Sequence, residues 1–411
     1  MHTNRNFVLL MLGQSLANIG DVLYTVGVIS IIYSLTESAA SSAFVPFTIT
    51  SSKFVSSILT PLLIGKFNLK HLLTGSQIGK TLFLFVLSII LTIGGDSINL
   101  AFIFIVIALI AFLDGCANPI RQTLIPYYVD ENKLVKANGV AETITQSIQI
   151  GTWFFGSLLL IVISPTQLIW LVAVLFVCSS MVLSMLNNVE HKEEIPENKW
   201  RQLTKGWQTI KSIPFLRKMT IIEFIENIAG TVWIAAIVLV YVEQALKAET
   251  YWWGFINSSY FIGMVVGSLL CITFSMFIDE RRNVFIIIGA FMISICTISF
   301  GVTSYSIIAL ILSGLIGLFD QMKNISQQTL IQTSVPKERL ATVYTSLSTI
   351  STGTFGIASL LMGILSDLFG VRTIFILSGI LLAVVSFIAF KNRNLFSKTV
   401  QQDCYLASER E

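Results

Sequence analysis

The chain has 411 residues, 54% of them hydrophobic and only 12% charged, with a mean hydropathy of +0.79. Ordinary soluble domains run at roughly 45–50% apolar and about 25% charged, so a water-soluble fold of this length has nowhere to hide so much apolar surface. A formal charge of +3 gives no footprint for nucleic acid or for an acidic partner.

Crossing a hydrocarbon core of about 30 Å takes roughly 20 apolar helical residues, whereas a closed barrel would alternate in segments of about ten. The pattern predicts an all-α membrane protein with twelve transmembrane helices at about 7–34, 41–65, 74–94, 99–126, 137–162, 166–186, 219–242, 251–277, 284–302, 304–332, 339–364 and 372–390. With the N-terminus inside, 23 of the 26 Lys and Arg fall on the cytoplasmic side, counting the inner ends of the spans and so including Lys80. Lys247 and Arg372 fall outside and Lys53 within a span. Cytoplasmic loops carry the excess of positive charge, so both termini are expected in the cytoplasm.

The first span carries Gln14, Asn18 and Asp21 and no small-residue cleavage site, which reads as a retained helix and not a signal peptide. An ionisable residue at mid-membrane costs several kcal/mol and needs a reason. Asp21 lies about 20 Å up span one and Lys53 about 18 Å along span two, a matching depth on antiparallel neighbours. Either the two form an ion pair that holds the bundle, or Asp21 takes and releases a proton while Lys53 attracts an anionic group or tunes the acid.

Span four ends in DGCANPIRQTLIPYYV (114–129). Asp114 and Arg121 lie two turns apart on one face and read as a gate or structural latch with neighbouring helices. Span five carries a polar stripe of Glu142, Gln146 and Gln149 at i, i+4, i+7, facing either a cavity or a packed helix. After span six comes the longest polar stretch, 187–217, in which 200–212 has the pattern of a surface amphipathic helix. Span seven holds Glu223 and Glu226 on one face, one turn apart, either reaching cytoplasmic water or forming a proton-binding pair. Asn227 follows, and Trp233 two turns on would wall a cavity or face lipid. Gly263 and Gly267 in span eight make a G-x-x-x-G that allows close helix contact.

Span ten ends in DQMKNISQQTLIQTSV (320–335), a blurred copy of 114–129 displaced by 206 positions. Asp114 matches Asp320, Asn118 matches Asn324, and Gln122-Thr123-Leu124-Ile125 recurs as Gln328-Thr329-Leu330-Ile331. Asp320 and Lys323 take the place of the first latch. The repeat divides the chain into two pseudo-symmetric six-helix bundles, 1–186 and 219–391, with a cytoplasmic loop at 187–218 and a cytoplasmic tail at 392–411. Five cysteines (116, 178, 271, 296, 404) and three histidines show no metal spacing, and no metal or cofactor is expected. No triad, phosphate loop or other catalytic motif appears, so the chain is not expected to be an enzyme.

Parallel six-span repeats are the architecture of major facilitator transporters. NPIRQTLIPYYVDENKLVKANGV (118–140) resembles the N-P-x-R-x-x-x-x-P…L-x-x-A-N segment of the facilitator group that includes macrolide efflux proteins and exporters of siderophores or metallophores of the enterobactin-exporter type. GQSLANIGDVLYTVGVISIIYSLTES resembles that group's first span, and GILSDLFGVR (363–372) its last outer loop. The loop after span two departs from it: Gly65 is kept, but Leu69 and Lys70 stand where Asp and Arg are usual. GTWFFG (151–156) lacks the antiporter proline, and FLDG (112–115) lacks the arginine common in broader drug antiporters. The resemblance implies a monomeric, multi-pass transporter of the cell membrane that exports a small amphipathic molecule against inward proton flow. On this reading Asp21, Glu223, Glu226 and Glu142 handle protons, and Lys53, Asn18, Gln146, Gln149, Asn227 and Trp233 meet the substrate. Lys53 tips the substrate towards a siderophore or metallophore; a macrolide-type drug, a nutrient taken up instead of exported, and a receptor or scaffold role are the alternatives.

Overall fold

The computed structural model describes residues 4–36, 39–64, 66–93, 99–189, 199–233, 235–249 and 251–396. Gly65, Cys404, most of the 392–411 tail and residues 190–198 of the 187–218 loop lie outside these. The helices, in chain order, are α1 (Arg5–Thr36), α2 (Ala39–Leu59), α3 (Leu69–Ile93), α4 (Leu100–Tyr128), α5 (Leu134–Val162), α6 (Pro165–Ser184), α7 (Lys199–Ser212), α8 (Pro214–Gly230), α9 (Ala235–Val240), α10 (Tyr251–Thr273), α11 (Ser275–Glu280), α12 (Arg282–Val302), α13 (Ser306–Ser334), α14 (Lys337–Phe369) and α15 (Val371–Lys391). A helix, continuous or broken, occupies each interval that the apolar runs predict. Among the described residues nine of them are long and apolar enough to cross a membrane, or ten if a bent pair counts as one span. That pair is Pro214–Trp233 with Ile237–Ala245, bent by 51° where a turn of 3-10 helix, Thr231–Trp233, ends α8. Large apolar side chains such as Val162, Leu360 and Phe387 stand fully outward, an arrangement that lipid tolerates and water does not.

The chain forms two compact units that are interleaved in sequence. The first comprises Met1–Val129, Ser147–Gly206 and Lys337–Thr349, and the second Asp130–Gln146, Trp207–Pro336 and Ile350–Glu411. In the first, α1 packs on α6, and α4 on α2 and α3. Glycines set the α1–α6 approach: a Cβ on Gly13 would lie 2.6 Å from Leu183, and one on Gly20 2.5 Å from Phe176. The Ser179 hydroxyl donates to the Gly13 carbonyl at 2.8 Å. Leu23, Val28, Leu84, Ile107, Val172 and Phe176 fill the core. The amphipathic α7 lies on the first turns of α14, since a Cβ on Gly206 would be 2.2 Å from the Thr342 carbonyl oxygen.

In the second unit α10 packs on α13, and α12 on α13 and α15. Trp233, Tyr241, Phe300 and Phe375 form an aromatic cluster with centroid distances from 4.4 to 5.3 Å, and the Tyr241 hydroxyl donates to the Phe300 carbonyl. The repeated phrase has a structural use here. Asn138, at the end of the 118–140 signature, donates to Thr329 Oγ1 at 2.9 Å and Gln332 Oε1 at 2.7 Å, both within the second copy.

Gly370, at φ 83°, ends α14 and lets α15 begin one residue later, in a backbone region that side chains disfavour. Arg372 then caps two helix ends at once, that of α12 and that of the short turn Tyr241–Ala245. Its Nη1 donates to the carbonyls of Gly301, Val302 and Thr303 at the end of α12, and its Nη2 to Ala245 and to Ser304 Oγ at 2.7 and 2.8 Å. A cation at a helix C-terminus satisfies orphan carbonyls and opposes the negative end of the dipole. Arg372→Met is expected to cost roughly 2 kcal/mol, the range for bonds to a charged donor, read as a lower melting temperature of the purified protein, with Arg372→Lys recovering only part because a lysine cannot reach both ends.

Candidate functional site

Each unit carries a cluster of charges from several helices, and the second also buries an Arg282–Asp279 pair, 2.6 Å apart, where α11 meets α12. In the first unit the cluster is a chain of four residues from four helices. Lys53 Nζ of α2 lies 2.6 Å from Asp114 Oδ2 of α4; Asp114 Oδ1 lies 2.6 Å from Lys80 Nζ of α3; and Lys80 Nζ lies 2.7 and 3.0 Å from the two oxygens of Asp21 on α1. Lys80 is 1% exposed and also sits 4.9 Å above the Phe176 ring of α6. The two ends of the chain are more open: Lys53 is 41% and Asp21 26% exposed. Two ammonium and two carboxylate groups balance, which is what burying them requires. Gly115, beside Asp114, lets α2 come close, since a Cβ there would stand 3.0 Å from the Lys53 Cα.

The direct Asp21–Lys53 ion pair, one of the two readings of their matching depth, does not form. Lys80 stands between the acids, and Lys53 takes Asp114 instead. Depth along a helix fixes height but not azimuth, and α3 supplies a cation at the same level. Asp114 is held by helices α2 and α3, while Arg121 Nη2 donates to Asn118 Oδ1 at 3.0 Å.

In the second unit Lys323 of α13 lies 3.1 Å from Glu226 Oε1 of α8 and 3.0 Å from Asp320 Oδ1. Asp320 Oδ2 also accepts from the Tyr260 hydroxyl of α10 at 3.1 Å and from Asn324 at 3.3 Å, and Gln327 reaches Glu226 Oε2 at 3.4 Å. Lys323 is 3% exposed. Glu223 lies within electrostatic reach of Glu226 and Lys323, and its carboxylate makes no ion pair with the described residues. One ammonium therefore pairs with two carboxyls while a third, Glu223, lies within its field.

The remaining predicted residues are dispersed. Asn18 accepts from Gln14 at 2.9 Å along α1. Asn227 donates to the Glu223 carbonyl and accepts from Ser351 of α14 at 3.0 Å. Trp233 is half-buried; it stacks on Tyr260 at 6.1 Å and packs on Phe300 and Phe375. On α5, Glu142 is half-buried, Gln146 is buried with its Oε1 unpartnered, and Gln149 is exposed. Among the described residues no group of His, Cys, Asp and Glu is arranged to hold a metal ion.

Ionisable groups within apolar helices are costly and either pair with one another or line an ion or substrate path. The sequence profile described as Major Facilitator Superfamily matches residues 8–354. The chain belongs to the Major Facilitator Superfamily. It is similar to two Bacillus subtilis proteins: the uncharacterized MFS-type transporter YfmI, 28% identical over 406 residues and 97% of this chain and 99% of that one, and the uncharacterized MFS-type transporter YjbB, 26% identical over 395 residues, 95% and 96%. Its fold matches the E. coli fucose:proton symporter FucP with a TM-score of 0.75 at 14% identity, covering 94% of this chain and 98% of that one. It matches a bacterial homologue of the iron transporter ferroportin in an outward-facing state equally well, at 0.75 and 13%, with the same coverage.

This facilitator is thus a multi-pass transporter of the cell membrane and not an enzyme. Three residues of its clusters escape a reading of the sequence: Lys80, Tyr260 and Gln327. Lys80 did carry a signal. It lies within the 74–94 interval, at the inner end of a span, where a lysine is equally at home reaching cytoplasmic water. Tyr260 has no such mark, because a tyrosine among small residues is equally at home in packing or at an interface.

Proposed function

We propose that this facilitator exports a small amphipathic molecule in exchange for protons. The observation that carries the reading is the imbalance in the second unit. Glu226 and Asp320 share Lys323, and Glu223 adds a third carboxyl within their field. A low-dielectric site with more acids than cations is one that binding or losing a proton can rebalance. The first cluster is already balanced, with Asp21 paired to Lys80, so Glu223 is the leading proton carrier, beside Asp21, Glu226 and Glu142. Twelve spans in two six-helix bundles, cytoplasmic termini and a monomer complete the proposal, supported by the 206-residue repeat and the one-sided placement of Lys and Arg.

The direction of transport is taken from the resemblance of 118–140 to exporters. For the substrate, Lys53 remains the reason to favour a carboxylate-bearing siderophore or metallophore over a macrolide-type drug. An anionic group would have to compete with Asp114, which lies 2.6 Å from the ammonium; a basic drug would address Asp21 or Glu223.

Metabolite profiling of cells with and without the gene tests this directly. An exported compound accumulates inside cells that lack the gene. Glu223→Gln, expressed at wild-type level, is expected to leave that compound trapped, with export slowed at least tenfold, since a group-specific proton role is worth about that or more. A compound depleted instead of accumulated would mean import, and wild-type export by the variant at every external pH would remove Glu223 from coupling.

A further inference from the structure

The two units build the same bridge from different helices. In the first, the ammonium comes from Lys80 on α3, and the residue three positions after Asp114 is Ala117, 6% exposed. In the second, the ammonium comes from Lys323, three positions after Asp320 and matched to Ala117 by the 206-residue repeat. There α12 presents Gly289, whose added Cβ would stand 2.9 Å from the Lys323 Cβ. So one unit pairs a lysine on the adjoining helix with alanine on the aspartate helix, and the other pairs glycine with lysine. What both keep is a sealed ammonium between an aspartate and an acid on α1 or α8.

The two arms of each bridge are unequal. Asp114 keeps Lys53 as a second cation, and Asp320 keeps the Tyr260 hydroxyl and Asn324. Asp21 is tied through Lys80, and among the described residues Glu226 has only the long Gln327 contact beside Lys323. Neutralising the acid on α1 or α8 therefore frees that helix while the aspartate stays held.

We propose that Lys80 and Lys323 are equivalent positioning residues, each pinning a helix (α1 or α8) to the aspartate helix of its unit through an arm that a proton releases. The groups that face the first bridge are Asp21 and Tyr24 of α1, Lys53 of α2 and Asp114 of α4, with α6 contributing only the Phe176 ring. Those that face the second are Glu223 and Glu226 of α8, Tyr260 of α10 and Asp320 of α13, with Gly289 of α12 uncharged. For its use in transport the proposal rests on the proton-coupled reading above, but the bridge itself is testable without any substrate.

The test transplants one architecture onto the other. The full chain is purified in detergent, and its melting temperature is followed by intrinsic fluorescence from acidic to neutral pH. Lys80→Gly is expected to lower the melting temperature by several degrees and to flatten its pH dependence. Lys80→Gly combined with Ala117→Lys, which copies the second unit into the first, is expected to restore both. Recovery of a folded double variant supports the proposal even if Lys80→Gly alone does not fold. A double variant no better than the single one, or a single variant that melts like the wild type at every pH, overturns it. Restored melting and pH dependence without restored export would leave the bridge standing and count against the transport reading alone.

Discussion

Replacing Gly317 by valine is expected to separate α10 from α13 and to leave little folded protein. A Cβ on Gly317 would lie 2.0 Å from the Tyr260 carbonyl oxygen, and one on Gly263 would lie 2.0 Å from that of Gly314. Gly267 meets the Leu318 carbonyl oxygen at 2.5 Å in the same way. The obstructing atoms are backbone, so no rotamer change relieves them, and the helices must move apart. The serines of the seam would be pulled from their acceptors as well: Ser259 donates to the Leu310 carbonyl and Ser313 to that of Ile256, each at 2.8 Å. Overpacking costs typically 1–3 kcal/mol, and this case belongs at or above about 3. In lipid, where no hydrophobic force drives helices together, close backbone approach supplies most of the association. Size-exclusion yield and melting temperature check it; a Gly317→Val protein that folds and melts like the wild type would mean that the seam is loose. Separation here would also pull Tyr260 from Asp320, so residual folded protein should transport poorly.

Lys323→Met is the second large effect. It leaves Glu226 and Asp320 without a cation beside Glu223, where removing one partner of a buried pair costs about 3–5 kcal/mol because the survivor stays desolvated. Methionine keeps the volume and the packing against Gly289, so the loss is that of charge. Lys323→Met with Asp320→Asn and Glu226→Gln should recover much of the lost melting temperature, since neutral partners carry no such penalty. Should the single variant be as stable as the wild type, Lys323 is not the residue that compensates these acids. The same substitution in the first unit should be milder on the aspartate side, as Asp114 retains Lys53 at 2.6 Å.

What the chain determines without its tertiary structure is its environment and its duplication. Apolar runs long enough to cross a bilayer, charges swept to their ends, and a phrase repeated 206 residues apart are properties of order along the chain, and hydrophobic burial acts on that order directly. The Gly263–Gly267 spacing announces a close contact for the same reason, because it needs only one helix to be visible. Partners of charges are another matter. Asp21, Lys53, Asp114, Asp320, Lys323 and Glu226 all stand out as ionisable groups within apolar helices, but their pairing depends on which faces meet once the helices pack. Packing put Lys80 between Asp21 and Asp114, turned Lys53 to Asp114, and brought Glu226 from 97 positions away in the chain to Lys323. In the seventh run α8 gives way to a 3-10 turn at Thr231–Trp233, where Gly230 is the sole breaker in its sequence and no proline gives notice. Hydrophobicity is a sum over residues and can be read one residue at a time, whereas an ion pair is a distance between two side chains and exists only after the fold has set that distance.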